Sequence, residues 1–515
     1  MSRTSDADTI HDVAIIGCGP TGATLANLLA MLGVSVLVLE REPEIYALPR
    51  AIHFDGECMR VFQTIGIAEA LHPQLLVSPG MKFVDAENRV LIDWSRPQAP
   101  GAHAWHASYR FHQPVLERVL RTRMAVHPNV TLRLRHDVFS IEPHADHVQL
   151  RMEDTRNGRL GRVGARYVVG CDGARSLVRR FMGTELDDLR SHERWLVLDV
   201  LLRRPRPDLG DHSIQFCDPR RPSTYVRGVG DRRRWELMLM PGDDPATITR
   251  PEHVWPLLSR WVTPDDATLE RPAVYTFHSV VARGWRSGRM LIAGDAAHQT
   301  PPFMGQGMCA GIRDASNLAW KLAAVLRGDA PVSLLDTYER ERSPHVREFI
   351  DTAVRLGGII QATDPALVER RNAEMTANPR IFHTPQPALG PGAHDGGDVA
   401  GQVAPQPLLD DGTRLDDRVG YRFLLLVRPE LLDAARSLVD ARAIVVPATP
   451  APLAQWLAQC GAAAVLVRPD RYVAGVATDG DTLAALVRRR LCFDVADAQS
   501  PVRTTAPRAP DRAGM

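Results

Sequence analysis

The segment DVAIIGCGPTGATLANLLAMLGVSVLVLERE, residues 12–42, constrains the fold more than any other. VAII and VLVLE read as buried strands, and ATLANLLAML between them reads as a helix. Gly17, Gly19 and Gly22 form GxGxxG at the strand-to-helix turn, with Pro20 and Thr21 inside it. This order predicts a βαβ unit whose helix N-terminus holds a pyrophosphate. Gly17 permits the tight turn, Gly19 lets the backbone approach phosphate, and Gly22 lets the helix lie close to the strand. Glu40, with Arg41 beside it, ends the second strand where a carboxylate accepts hydrogen bonds from ribose hydroxyls and repels a 2'-phosphate. The fingerprint serves NAD and FAD alike.

At 515 residues the chain exceeds what one hydrophobic core supports, so two or three units are expected. Lys plus Arg number 62 against 61 Asp plus Glu, which leaves no excess charge for nucleic acid or an anionic membrane. Lysine occurs only at Lys82 and Lys321, neither in a GxxxxGK[ST] loop. The 7 cysteines include no CxxC pair, which fits a reducing cytoplasm and not a disulfide oxidoreductase. The polar opening MSRTSDADTIHD has no secretory core, and no apolar run is long enough to span a membrane. Small molecules are the expected partners, and no metal site is expected.

Two further motifs separate the cofactors. Residues 167–179 read YVVGCDGARSLVR, with a DG pair at Asp172 and Gly173, and residues 289–298 read RMLIAGDAAH, with a GD pair at Gly294 and Asp295. Alone, a DG after a strand is also ordinary turn chemistry. Taken in order with GxGxxG, the motifs make the chain resemble the class A FAD-dependent aromatic hydroxylases. LPRAIHFDGE (48–57), FHQPVLE (111–117), PPFMGQGM (301–308) and LLDTYERERSPH (334–345) extend the resemblance, nearest to the 3-(3-hydroxyphenyl)propionate hydroxylases within the phenol hydroxylase-like family. The resemblance implies FAD held by the glycine turn, Glu40, Asp172, Gly294 and Asp295, with Arg50, Gln113, Pro301, Gly305, Gln306 and Gly307 along the flavin. The residues alone leave plainer readings open, in which the glycines cap helices, Arg50 makes a surface ion pair and Gln113 caps a helix.

The implied organisation is a Rossmann-like α/β FAD domain interrupted by an antiparallel-sheet substrate domain. Residues 1–185 form its first part, with an excursion into the substrate domain near 79–105; 186–274 form the substrate domain and 275–360 the second FAD part. WLVLDVLLR, HSIQF, STYVRGV and RWELMLM are the expected strands of the substrate sheet. Residues 361–415 read as a surface linker, 416–498 resemble a thioredoxin-like module, and 499–515 as a flexible tail. Lacking CxxC, the module is expected to pack or dimerise and not to carry electrons.

The implied activity is hydroxylation of a phenolic acid of the 3-(3-hydroxyphenyl)propionate or 3-hydroxycinnamate type. NADH or NADPH would be the reductant, O2 the oxygen source, and a flavin hydroperoxide the oxygen donor. Asp55, in FDGE, is the candidate base for the phenolic proton, although an Asp before Gly is commonly a turn residue. Tyr225 and Arg227 share one face of STYVRGV, and Arg227 could meet a substrate carboxylate or an exposed acid. His53 and His112 are further candidate polar contacts. The same scaffold could oxidise another phenol or a polycyclic aromatic, or act as a flavin reductase without hydroxylation. The resemblance also implies a homodimer.

Overall fold

The strand Ile10–Ile16 lies between Val36–Glu40 and Arg159–Gly170, parallel to both. Val130–Leu134 and Met290–Ile292 extend this parallel core on its two sides. Residues Val36 to Leu39 are all buried, as strands covered on both faces require. The helix Pro20–Met31 is buried from Gly22 to Ala30 because it is wedged among the sheet and the helices Gln113–Met124 and Gly307–Arg327. A helix enclosed in this way is apolar all round. An arm of two strands, His136–Pro143 and Val148–Asp154, pairs antiparallel onto Arg159–Gly170, and Arg286–Ser287, antiparallel to Met290–Ile292, completes the eight strands of the sheet. The computed structural model describes residues 10–491, with the backbone alone at 190 and 191; the tail expected at 499–515 lies outside the described residues.

A second sheet has nine strands, in the order His298–Gln299, Ala267–Ala282, Leu186–Leu202, Arg232–Met238, Ser223–Arg227, Ser213–Phe216, Gly80–Val84, Val90–Ser95 and Arg380–Ile381. The strands expected for the substrate domain, within Leu186–Leu202, Arg232–Met238, Ser223–Arg227 and Ser213–Phe216, pair antiparallel as expected, and the sheet is mixed at two further pairings. Ser213–Phe216 runs parallel to Gly80–Val84, and Arg380–Ile381 runs parallel to Val90–Ser95. Strands contributed by distant parts of the chain arrive through long crossovers, which permit parallel pairing where a tight hairpin does not. One face carries Leu196, Leu198, Val200, Tyr225 and Trp235 against Val254 and Leu258 of the helix Pro251–Leu258. The other carries Phe83, Trp94 and Trp195 against Phe303 and Met304 of the PPFM segment. The Trp195 and Phe303 rings meet edge to face at 5.6 Å, which fixes the sheet against that segment.

The stretch expected as a surface linker contains the helix Pro365–Ala377, capped by Asp364, whose side chain accepts from the Leu367 amide at 2.9 Å. Only Val368 and Met375 are buried on it, a stripe too narrow to show as periodicity. The edge strand Arg380–Ile381 follows.

In the C-terminal unit Phe423–Val427 pairs parallel with Ala443–Pro447 and antiparallel with Ala464–Val467, which pairs antiparallel with Val473–Ala477. This unit docks through buried charge. Glu341, on the helix Asp336–Ile360, accepts from Lys321 at 2.7 Å and from Arg468 at 2.9 and 2.8 Å; Arg468 also binds Asp470. Arg60 grips Asp416 at 2.9 and 3.1 Å. Among the described residues no helix is long and apolar enough to cross a membrane.

Candidate functional site

Three strands end at one cleft. Gly17 N donates to Leu39 O at 2.8 Å, Cys171 N to Ile16 O at 2.8 Å, and Ala293 N to Gly170 O at 2.9 Å, so the GxGxxG, DG and GD segments leave the sheet side by side. Ligands of open parallel sheets bind at this edge. Gly17 has φ +96°, and a Cβ there would stand 2.4 Å from the Cys171 carbonyl oxygen. A Cβ on Gly22 would meet Gly17 O at 2.1 Å, whereas one on Gly19 would meet nothing within 4 Å. The first and third glycines are therefore needed by the protein, and the open space beside the second is where a phosphate fits. No side chain caps the helix at Gly19. Glu40 is held over the turn by the Cys18 amide at 2.7 Å and the Glu42 amide at 2.9 Å. Arg41 is exposed and pairs with Glu42.

The DG and GD segments are braced from behind. Asp172 accepts from Leu177 N at 2.6 Å through one oxygen, while its other oxygen is buried without a partner. Asp314, fully buried on the helix Gly307–Arg327, accepts from Gly294 N at 3.0 Å, His298 at 2.6 Å and Arg342 at 2.9 Å. Asp295 beside it is exposed, yet desolvation pushes its carboxyl up, as for an acid on the wall of a deep cleft. Uncapped helix amides, an open face at Gly19, an orphaned Asp172 oxygen and a cleft-wall acid fit a dinucleotide from pyrophosphate to sugar chain.

The opposite wall comes from LPRAIHFDGE. Gln113 does more bracing than lining: its Oε1 accepts from the Arg50 and Ala51 amides at 2.9 and 2.8 Å, and its Nε2 donates to Glu117 at 2.8 Å. Arg234 adds a second brace, binding Asp199 at 2.7 Å and donating to the carbonyls of Pro49 at 2.5 Å and Arg50 at 2.8 Å. The Arg50 side chain is left exposed toward the cleft mouth, 5.6 Å from the Tyr46 ring. Pro301 precedes a short 3-10 turn that ends at Gly305, φ +65°. Gln306 and Gly307 then open the helix Gly307–Arg327 without a side-chain cap. A Cβ on Gly305 would press on the His53 ring at 3.2 Å.

Asp55 caps the helix Gly56–Ile65, accepting from Cys58 N at 3.1 Å, and pairs with Arg313 Nη2 at 2.5 Å. Burial alone would push its carboxyl up, but the Arg313 guanidinium and the Cys58 amide hold it well below the usual carboxylate range. The same pairing works against Asp55 as a proton acceptor, because it stabilises the charged carboxylate. Arg313 also binds Glu57 at 2.6 Å and Gln306 at 3.2 Å, and Glu57 accepts from Tyr472 of the C-terminal unit at 2.7 Å. Asp55, Cys58 and Cys309 lie within 4.8 Å of one another, but Arg313 already supplies the positive charge beside Asp55, and burial pushes the Cys58 thiol well up. A cation has no place there.

On the substrate side two expectations fail. Tyr225 and Arg227 do share a face, but it is the one turned toward the helix Pro251–Leu258: Tyr225 packs 5.2 Å from Trp235 in that apolar cluster. Arg227 is ion-paired with Asp211. Alternation tells which residues are together, not which side the flavin cleft is on. His53 is buried opposite Arg110 in a three-stranded sheet, and its Nδ1 lies 3.2 Å from Gly305 O. Burial, then Arg110, lowers its imidazole to about 3, so it is neutral at working pH. His112 is half-buried, and its Nε2 has no partner. Sequence reasoning missed Arg110 and Arg313, because nothing local distinguishes them among so many arginines.

Residues 11–353 match the family described as FAD binding domain. Over 97% of its length the chain is 41% identical to a probable NADH-specific resorcinol 4-hydroxylase of Rhodococcus jostii (strain RHA1), covering 97% of that protein. It is 36% identical to 3-(3-hydroxy-phenyl)propionate/3-hydroxycinnamic acid hydroxylase 2 of Burkholderia vietnamiensis (strain G4 / LMG 22486), over 80% of this chain and 78% of that one. The flavin-dependent monooxygenase PieE, solved with FAD and substrate, has the same fold, with a TM-score of 0.81 over 95% of this chain and 100% of that one at 23% identity.

Proposed function

The chain belongs to the class A FAD-dependent aromatic hydroxylases, and from that premise we propose that it hydroxylates a single-ring phenol of the hydroxyphenylpropionate or hydroxycinnamate type with NAD(P)H and O2. It is a flavin-dependent monooxygenase. The observation that carries the substrate reading is the position of His53 and Asp55, on one short strand beside the Gly305–Gln306 turn. When bound, FAD supplies the reducing equivalents taken from NAD(P)H and the activation of O2.

The chain's own residues do the rest. Gly17, Gly19, Pro20, Thr21, Gly22, Glu40 and Asp295 would hold the cofactor, with Asp172, Gly294 and Arg50 beside it. The turn at Gly305, Gln306 and Gly307 has no side-chain cap, so its backbone amides would be available to the flavin. Asp55 keeps two of its four lone-pair sites free beyond the Cys58 and Arg313 bonds. It accepts a hydrogen bond from the phenolic O–H and polarises the ring, without carrying the proton away. Neutral His53 beside it fixes the ring's orientation.

The C-terminal unit is read as a thioredoxin-like module used for packing. Its βαβαββα order and its lack of a CxxC pair support that reading. Free cysteines and the absence of disulfides among the described residues fit a reducing cytoplasm, and the homodimer rests on the resemblance. The test of function is a panel of resorcinol, phenol, hydroxybenzoates, hydroxyphenylpropionates, hydroxycinnamates and polycyclic phenols, scored by NAD(P)H oxidation and product mass. The expected result is stimulation by a 3-hydroxyphenyl compound with one oxygen added to its ring. Stimulation only by polycyclic phenols, or by none of the panel, would overturn the reading.

A further inference from the structure

Among the described residues most buried cations have an acid, and Arg179 and Arg233 donate to backbone carbonyls instead; Arg110, with the half-buried Arg96 near it, has neither. Arg110, 5% exposed, ends the strand Ser108–Arg110. Among the described residues its one side-chain hydrogen-bond partner is the Ser213 hydroxyl, on a strand of the nine-stranded sheet, and its Nε is buried without a partner. Arg96 leans on the Trp94 ring at 4.4 Å and bonds the Thr384 hydroxyl. Among the described residues no carboxylate lies within ion-pairing distance of either. Burial lowers both guanidiniums to about 10, and each also feels its surroundings, Arg110 the charge of Arg96 and Arg96 the more distant carboxylate of Asp55. Both still carry charge at neutral pH.

Leaving an unpaired guanidinium buried costs several kcal/mol. A fold that tolerates this beside a second cation needs an anion that is not part of the chain. The place is specific: Arg110 is the cross-strand partner of His53, and His53 touches the Gly305 turn. Ser213 belongs to the sheet face turned toward the flavin segment, by alternation with Phe216 on the other face. An anion here lies across the pocket from the flavin turn, at the distal end of a substrate whose phenol is held at Asp55.

Resting on the reading above, we propose that Arg110, assisted by Arg96 and Ser213, is the carboxylate-binding end of the substrate pocket. The substrate class is then a phenol with a carboxylate on its side chain. The guanidinium presents Nε and an Nη to the two carboxylate oxygens, the forked geometry that makes such pairs strong.

The experiment uses FAD-loaded enzyme and two probes, 3-(3-hydroxyphenyl)propionate and its primary amide, which has nearly the same shape without the charge. Binding is read from the flavin absorbance change on titration. Wild type should bind the acid on the order of 100-fold more tightly than the amide. Arg110→Met should erase that preference by weakening the acid alone, and Arg110→Lys should restore part of it. FAD retention should be the same in all three. Equal binding of acid and amide by wild type, or a preference that survives Arg110→Met, would overturn the inference. So would loss of FAD in both variants, since the guanidinium would then serve the cofactor's phosphates. If Arg110→Met does not fold, the wild-type comparison of acid with amide and the Lys variant decide. An enzyme that hydroxylates resorcinol and ignores the acid keeps the hydroxylase reading and loses this one; an enzyme that no phenol stimulates loses the hydroxylase reading.

Discussion

Arg313 and Arg110 stand on either side of the strand His53–Asp55, both buried, and they differ in what the chain gives them. Arg313 has Asp55 and Glu57 at ion-pair distance, Gln306 beyond them, and through Glu57 a link to Tyr472. Arg110 has one hydroxyl. Where the protein supplies the acid, the arginine ties elements together. Where it withholds the acid, the arginine either donates to backbone carbonyls, as Arg179 and Arg233 do, or, at Arg110, is left for a ligand. The same rule sorts Arg227, which pairs with Asp211, and Arg468, which pairs with Glu341 and Asp470.

Breaking a fully paired site should have the largest effect. Glu341→Gln removes the acid that Lys321 and Arg468 share in the interior, leaving Asp470 on Arg468, and should cost about 3–5 kcal/mol of stability. Chemical denaturation would measure it, and substrate affinity of the folded fraction should not change. Next comes Asp55→Asn, which removes the charge opposite Arg313 and the acceptor for the phenol. Hydroxylation should fall about 10- to 100-fold, the loss of one hydrogen bond to a charged acceptor, while flavin reduction holds and the consumed NAD(P)H appears as H2O2. Because a phenol ionises near about 10, raising the pH should restore part of the product yield per NAD(P)H. Wild-type yield at every pH would remove Asp55 from the chemistry.

His53 sharpens the unpaired side. Its folded value of about 3 lies below the ordinary histidine range, so as pH falls the unfolded chain takes up a proton that the folded one refuses. Stability should therefore be full at neutral pH and decline through the window from 6.5 toward 3, by up to about 2 kcal/mol at pH 5 for this group. His53→Gln should flatten that slope. Arg227→Ala is the smallest effect, at most about 1 kcal/mol for a part-exposed pair, with unchanged acid binding. A loss of acid binding there would move the carboxylate site away from Arg110.

The cofactor half of the molecule was legible because its chemistry is local. Gly17 and Gly22 are required by contacts within a few residues or by a neighbouring strand, and Glu40 sits at a fixed spacing. The substrate half was not. STYVRGV reads correctly as a strand, yet whether Tyr225 faces the flavin or the helix Pro251–Leu258 depends on how the sheet docks. FDGE alone does not show that Asp55 is paired with Arg313, 258 residues away in sequence. Partners that far apart leave no mark in either segment.

The most direct test of the account is to follow labelled O2 through one turnover with a stimulating phenol. One labelled oxygen atom should appear on the ring for each NAD(P)H consumed, with FAD retained by the enzyme. Label entering from water, or NAD(P)H oxidation that gives only H2O2 with every phenol tried, would contradict it.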